Sequence, residues 1–183
     1  MTSTIKGSHT LVNEFVQFGK ESTVWHFCNL FGTKEQPIII GNNTQIGSYT
    51  EIRPGVTIGN NCRLQNDLFI AEQTIIGNYV FIGPGVRLMV DKFPSALKVF
   101  NRSYTIAPIT IKDYAVIGGG VLLGPGVTVG KCAFIGMGSV VIRDVPDYAV
   151  VVGNPARQIG NVHDKKYATA FPEFKDFKAI KKK

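Results

Sequence analysis

The chain has 183 residues, of which 44% are hydrophobic and 18% are charged. This length fits one compact domain, and the composition is too apolar for a disordered chain. No apolar run approaches the roughly 18 residues that a membrane span needs, and residues 1–10 carry no apolar signal segment, so we expect a cytoplasmic protein without membrane insertion.

The net charge of +7 lies largely at the C-terminus, where residues 161–183 hold seven lysines against three acidic residues and so contribute +4. We expect no nucleic-acid binding, because a terminal lysine cluster is usually solvated. The cysteines and the histidines are scattered without metal-ligand spacing, which predicts free thiols and no metal site. These residues are Cys28, Cys62, Cys132, His9, His26 and His163.

A six-residue period runs along residues 12–146. The first position of each hexad is apolar in nineteen of twenty cases, and the second is Gly in ten, which we interpret as a bend that Gly adopts cheaply. The fifth position is mostly small. The first positions are Val12, Phe18, Val24, Leu30, Ile40, Ile46, Ile52, Ile58, Leu64, Ile70, Ile76, Ile82, Leu88, Thr105, Ile111, Ile117, Leu123, Val129, Ile135 and Val141.

Each hexad predicts a short strand followed by a corner. Three such strands per coil, stacked at about 4.8 Å, form a prism with the first-position residues inside. The fold class is therefore an all-β parallel β-helix of about 6–7 coils, with one long loop at residues 92–104. We expect the β-helix domain to cover residues 1–160 and a basic extension to cover residues 161–183. Spacing alone leaves the handedness open.

Two insertions interrupt the period, at residues 33–37 and 92–104, and counting every third hexad places both on one edge of the prism. If Thr105 begins a hexad, the same edge carries Glu72, Asp91, Gly118 and Gly136. Loops that leave a regular scaffold often carry function. The pattern therefore predicts a groove in which an extended ligand meets bare backbone beside carboxylates.

The [Ile/Leu/Val]-Gly-x-x-[small]-x tandem and its closing segment Val145-Pro-Asp-Tyr-Ala-Val-Val-Val-Gly-Asn-Pro-Ala-Arg157 resemble the hexapeptide-repeat acyltransferases. This resemblance implies a left-handed β-helix, a homotrimer, and an acyl-coenzyme A that lies along the prism between neighbouring subunits. It further implies that Gly118 and Gly136 offer amides to the pantetheine or thioester, and that Asn154 and Arg157 lie near the nucleotide end.

Three further segments resemble the N-acetyltransferases that act on nucleotide-linked amino sugars. These are Val24-Trp-His-Phe-Cys28, Phe81-Ile-Gly-Pro-Gly-Val-Arg-Leu-Met-Val-Asp-Lys-Phe-Pro-Ser-Ala96 and Pro155-Ala-Arg-Gln-Ile-Gly160. The resemblance implies acetyl-CoA as co-substrate and a dTDP- or UDP-linked deoxyamino sugar as acceptor, in surface glycan synthesis such as that of lipopolysaccharide.

Acyl transfer to an amine requires the amine to lose a proton, because a free alkylamine is largely protonated at pH 7. Asp91 and Glu72 are the catalytic candidates, either to orient the amine or to accept its proton. The alternative is that the proton passes to the departing sulfur and the protein supplies only positioning and oxyanion donors. Asn66, Asp67 and Lys92 are the candidate substrate-binding residues; the first two lie on a second edge that a trimer would bring opposite the groove.

The chain departs from the related sugar enzymes at the loop. They commonly carry Thr-Asn before it and often Pro-Arg inside it, whereas this chain has Met89-Val90 and Pro94-Ser95. Two alternatives therefore stay open: an acyltransferase with a longer acyl donor or a different acceptor, and a non-catalytic β-helix scaffold.

Overall fold

The computed structural model describes residues 7–167. Most of the predicted basic extension, residues 168–183, lies outside the described residues. The elements before the long loop are β1 (Leu11–Val12), β2 (Val16–Phe18), β3 (Thr23–Val24), β4 (Asn29–Leu30), β5 (Ile38–Ile40), β6 (Gln45–Ile46), β7 (Glu51–Ile52), β8 (Thr57–Ile58), β9 (Arg63–Leu64), β10 (Phe69–Ile70), β11 (Ile75–Ile76), β12 (Phe81–Ile82) and β13 (Arg87–Leu88).

The loop carries the short helix α1 (Ala96–Phe100). After it come β14 (Thr110–Ile111), β15 (Val116–Ile117), β16 (Leu122–Leu123), β17 (Thr128–Val129), β18 (Phe134–Ile135), β19 (Val140–Val141), β20 (Ala149–Val152), β21 (Arg157–Asn161) and a 3-10 turn at Lys165–Tyr167. The predicted domain boundary at residue 160 falls inside β21.

The strands form the three faces of a prism, and within each face they are parallel. Face 1 is β1-β4-β7-β10-β13-β16-β19, face 2 is β2-β5-β8-β11-β14-β17, and face 3 is β3-β6-β9-β12-β15-β18-β20, with β21 antiparallel to β20. Residues of the same hexad position stack from coil to coil, as Ile52, Ile70 and Leu88 do on face 1. The predicted parallel β-helix is confirmed, and its handedness stays a prediction.

The core is a column of first-position and fifth-position side chains. Ile46, Ile52 and Leu88 are fully buried, and so are the fifth-position residues Cys62 and Thr44. The Thr44 hydroxyl is satisfied inside the prism because it donates to the Gly59 carbonyl oxygen at 2.8 Å. Burying each large aliphatic side chain contributes about 1.5–3 kcal/mol, so the repeat itself supplies most of the stabilisation.

The corners use glycine differently from the sequence-based interpretation. The left-handed conformation falls on the fourth hexad position, as at Asn43 (φ 50°), Tyr79 (φ 57°) and Gly126 (φ 76°). The second-position glycine Gly59 lies outside that region, and it is required because a Cβ there would lie 2.6 Å from the Gly77 carbonyl oxygen. Close stacking of coils, rather than a backbone bend, explains the second-position glycines.

The assignment of Thr105 to a hexad is wrong. The hexad that begins at Leu88 lies on face 1, and the next hexad on the prism begins at Ile111 on face 2, because β14 pairs with β11. The intervening chain leaves the prism after Val90 and returns through an antiparallel bridge between Asp91 and Ile106. Removing one hexad rotates every later corner by one edge, so Gly118 and Gly136 do not lie above Glu72 and Asp91.

With the hexads after the long loop assigned in this way, the prism has three edges. The loop edge joins faces 1 and 2 and carries both insertions, as predicted, together with Arg53, Glu72, Asp91 and Arg143. The glycine edge joins faces 3 and 1 and carries His26, Asn66, Asp67, Gly118–Gly120 and Gly136–Gly138. The asparagine edge joins faces 2 and 3 and carries Asn42, Asn60, Asn78 and Asp113.

The close stacking of coils predicts an unequal response to two glycine-to-alanine substitutions. We expect Gly59→Ala to cost about 3 kcal/mol, because its Cβ would meet backbone that has no room to move. In Gly126→Ala the added Cβ would lie 3.5 Å from the Ala107 Cβ, which is an ordinary contact. The expected cost is therefore mainly the strain of a left-handed backbone conformation, about 1 kcal/mol. Urea unfolding curves measure both, and equal losses would contradict the stacking argument.

Candidate functional site

A cavity of about 320 Å³ opens on the loop edge where the long loop leaves the prism. Glu51, Glu72 and Asp91 contribute carboxylates, whereas Phe69, Met89 and Ile106 contribute an apolar wall. The two predicted catalytic residues therefore line one cavity. They meet because Glu72 and Asp91 occupy corners of successive coils, about 4.8 Å apart along the prism.

Arg53, which sequence reasoning missed, holds two of these carboxylates. Arg53 Nε donates to Glu72 Oε1 at 3.1 Å, and its Nη1 donates to Glu51 Oε1 at 3.2 Å. Partial burial acts against the charge of Arg53, but Glu72 and then Glu51 outweigh it, so the pKa of Arg53 is raised. The available signal was spacing: Arg53 precedes Glu72 by 19 residues, about one coil.

Asp91 lies at the neck of the long loop. Its Oδ1 accepts a hydrogen bond from the Phe93 amide at 3.2 Å, which turns the chain outward. Beyond it, the Ser95 hydroxyl caps α1 by accepting from the Lys98 amide. Lys92 follows Asp91 directly, but its ammonium lies over the Phe93 ring, 5.6 Å from the centroid, at the base of the loop.

The predicted substrate-binding residues Asn66 and Asp67 lie on the glycine edge, apart from the carboxylate cavity. Asn66 Oδ1 accepts from the Ser48 amide at 3.0 Å, and the residue lines a second cavity of about 330 Å³ beside Trp25. Asp67 is paired with Arg87 at 2.8 Å. Both side chains thus have partners within the chain that account for part of their hydrogen-bonding capacity.

The backbone amides of Gly118 and Gly136 are already used. They donate to the Ile135 and Val151 carbonyl oxygens at 2.8 and 2.9 Å, as the stacking of coils requires. The next residues, Gly119 and Met137, differ, because within residues 7–167 neither N–H donates a hydrogen bond. Within the described residues, the N–H groups without an acceptor at these two corners belong to the residues that follow the predicted ones.

This difference follows from what stands one coil above. On the asparagine edge, the amides of Asn42 and Asn60 donate to the side-chain oxygens of Asn60 and Asn78 at 2.8 and 2.9 Å. Above Gly119 the corresponding residue is Met137, whose side chain has no oxygen to accept. Above Met137 stands Gly153, which has no side chain. Within residues 7–167 the glycine edge therefore presents the N–H groups of Gly119 and Met137 outward near its upper end.

A third cavity of about 270 Å³ lies higher on the loop edge and contains the predicted residue Arg157. It also contains Arg143, which sequence reasoning did not select. Asn154, the other residue predicted at this end, is exposed in the turn between β20 and β21. Asp144 also lines the cavity, and its Oδ1 accepts from the Thr128 amide at 2.8 Å. The two guanidinium groups still leave a formal charge of +1, which suits an anionic ligand such as a phosphate.

The thiols and imidazoles lie away from the carboxylate cavity. All three cysteines are free and buried, and burial raises the pKa of the Cys132 thiol to about 12, which suppresses its nucleophilicity. His26 accepts a hydrogen bond from the Ser8 amide on the glycine edge. Among residues 7–167, no group of three or more side chains is placed to hold a metal ion. No helix in that range has the length and apolarity to cross a membrane.

Comparison with known proteins agrees with this architecture. Residues 37–71 match the family described as bacterial transferase hexapeptide (six repeats). A putative acetyltransferase of Saccharomyces cerevisiae is 36% identical over 66% of this chain, which spans 63% of that relative's length. The galactoside O-acetyltransferase of Escherichia coli is 32% identical, over 78% of this chain and 72% of the relative.

A solved structure shares the fold. The Bacillus cereus N-acyltransferase AntD, solved as a mutant with dTDP and coenzyme A, has a TM-score of 0.71, with 88% of this chain and 91% of that chain covered at 19% identity. The fold and the repeat define a hexapeptide-repeat β-helix. With the similarity to the Escherichia coli enzyme, they show that the chain belongs to the bacterial transferase hexapeptide family.

Proposed function

We propose that the protein is a homotrimeric, cytoplasmic acetyltransferase that moves an acetyl group from acetyl-CoA to the amine of a dTDP- or UDP-linked deoxyamino sugar for surface glycan synthesis. The observation that carries this proposal is the loop-edge cavity, in which carboxylates face an apolar wall. A deoxyamino sugar has matching groups, an ammonium and a methyl. The names of the relatives support acetyl transfer, and the dTDP and coenzyme A bound to AntD support the substrate class.

In this proposal Glu72 binds the amine and Asp91 takes its proton. The bound ammonium first gives one proton to Asp91, which passes it to water. The neutral amine then attacks the thioester carbonyl, the C–N bond forms and the C–S bond breaks as coenzyme A leaves. Asp91 accepts the second proton from the nitrogen and delivers it to the departing thiolate. The apolar wall of Phe69, Met89 and Ile106 limits water access to the thioester.

The site is completed by the glycine edge of a neighbouring subunit. In a trimer with parallel prisms, residues of the same coil lie at the same height, so Asn66 and Asp67 stand level with Glu72. Gly119 lies one coil above Asp91, and Met137 stands level with Arg143. Acetyl-CoA then runs upward from the cavity, along the outward amides of Gly119 and Met137, to Arg143 and Arg157. Asn154 lies at the same end.

The similarity to a galactoside O-acetyltransferase favours a second candidate, transfer to a sugar hydroxyl. A hydroxyl is far less acidic than an ammonium and needs a general base at attack. Within residues 7–167 the cavity contains no imidazole, and His26 lies two coils below Glu72, roughly 10 Å along the prism. A carboxylate such as Asp91 is a weaker base than an imidazole, so these positions favour the amine over the hydroxyl as acceptor.

The proposal predicts release of coenzyme A when the protein meets acetyl-CoA and one of a panel of dTDP- and UDP-linked 3-amino and 4-amino sugars. With that sugar, Asp91→Asn is expected to lower kcat about 100-fold or more, because the proton acceptor is lost. Glu72→Gln is expected mainly to raise the KM of the sugar. Thiol release is followed with a colorimetric reagent.

The matched control is Glu35→Gln, an exposed carboxylate in the first insertion of the same edge, which should leave both constants unchanged. Turnover of galactosides but of no amino sugar would establish the O-transfer candidate instead. Faster turnover with butyryl-CoA than with acetyl-CoA would assign a longer donor. No turnover with any donor or acceptor would favour the scaffold alternative.

The role of the outward amides is tested by removing one N–H without disturbing its corner. Proline occupies the same hexad position at Pro54, Pro84 and Pro125, so Gly119→Pro suits this corner. Any Cβ at Gly119 lies 3.2 Å from the Pro84 carbonyl oxygen, and Gly119→Ala adds the same Cβ, so the comparison of the two isolates the N–H. We expect it to raise the KM of acetyl-CoA about tenfold, whereas Gly119→Ala keeps the N–H and should change it little. Equal effects of the two substitutions in steady-state kinetics would contradict the amide contact.

A further inference from the structure

The ion pairs around Arg53 do little for stability. The side chains of Arg53, Glu51 and Glu72 are 37%, 41% and 29% exposed, and ion pairs this open contribute about 0–1 kcal/mol. Their larger effect is on the cavity, because one member of the network, Glu72, is a proposed contact of the acceptor.

The hydrogen bond from Arg53 leaves one carboxylate oxygen of Glu72 available to a ligand. Arg53 Nε engages Oε1 of Glu72, and no partner for Oε2 is found within the described chain. The guanidinium plane also joins Glu51 through Nη1, so both carboxylates are held by one rigid group. A lysine ammonium lacks this fork and cannot fix two carboxylates in the same way.

The charges of the cavity define what it binds. Its charged lining groups are Glu51, Glu72 and Asp91 against Arg53, a formal charge of −2, and the remaining titratable lining group is Tyr104. A cavity with this balance attracts a cation. An ammonium donates to several acceptors at once, and Glu72 and Asp91 both line the cavity with carboxylate oxygens that can accept from it.

Building on the proposed function, we infer that Arg53 is a positioning residue that selects amine-bearing acceptors by holding Glu72 with one oxygen turned to the acceptor ammonium. Arg53 itself touches neither the acceptor nor acetyl-CoA. It acts through Glu72, and this separates it from a residue that only stabilises the corner.

The test is a double-mutant cycle in the thiol-release assay, using wild type, Arg53→Met, Glu72→Gln and the double variant. We expect Arg53→Met to raise the KM of the amino sugar about tenfold while kcat and the KM of acetyl-CoA stay within twofold. The double variant should be no worse than Glu72→Gln alone, since Arg53 works through that residue. Arg53→Lys should give an intermediate KM.

The control is Lys112→Met, which breaks the exposed Lys112–Asp147 pair at 3.3 Å on the asparagine edge and should leave all constants unchanged. Thermal unfolding of each variant separates a folding defect from a binding defect. Three outcomes would overturn the role of Arg53 while leaving the proposed function standing. They are additive effects of the two substitutions on the acceptor KM, a fall in kcat without a change in that KM, and full rescue by Arg53→Lys. Absence of wild-type turnover with every amino sugar would overturn the proposed function, and this inference with it.

Discussion

The distance between stacked coils is the constraint on which the rest of the molecule depends. Each coil lies about 4.8 Å above the last, and the backbone N–H groups of one coil donate to the carbonyl oxygens of the next. This spacing leaves no room for a Cβ at positions such as Gly59, and it assigns each side chain a face, an edge and a height. A residue that serves a site in such a fold therefore needs only the correct hexad position and coil number.

The same constraint explains why the candidate site lies on an edge. An insertion inside a face would break the parallel pairing, whereas a corner tolerates extra chain if both ends return to adjacent positions. The long loop meets this condition through the bridge between Asp91 and Ile106. Because the exit and the return are fixed, Asp91 and the apolar Ile106 face the same cavity as Glu72 and Met89. One excursion of the chain therefore supplies both a carboxylate, Asp91, and an apolar wall residue, Ile106, to the cavity.

The edges also differ in whether a side chain accepts a hydrogen bond from the outward-facing backbone amides. Where asparagine or aspartate stacks above, its side chain accepts from the amide below, as with Asp113 above Asn78 at 2.8 Å, and the edge is closed by its own hydrogen bonds. Where Met137 stands above Gly119, the amide has no side-chain acceptor within the described residues. The proposed ligand track follows this stretch of the glycine edge, and the ion-paired carboxylates lie on the loop edge below it.

The sequence by itself determined the β-helix, the apolar filling of its interior, the common edge of the two insertions and the meeting of Glu72 with Asp91, because all of these follow from counting in sixes. Tertiary structure decided the phase after the long loop, since the hexad period does not state on which side the excursion from Asp91 to Ile106 returns to the prism. That phase moved Gly118 and Gly136 to the glycine edge. Contacts that the repeat does not state decided the rest. Arg53 bonds to Glu72, 19 residues away, because successive coils stack, and Arg143 joins Arg157 because β21 folds back antiparallel on β20.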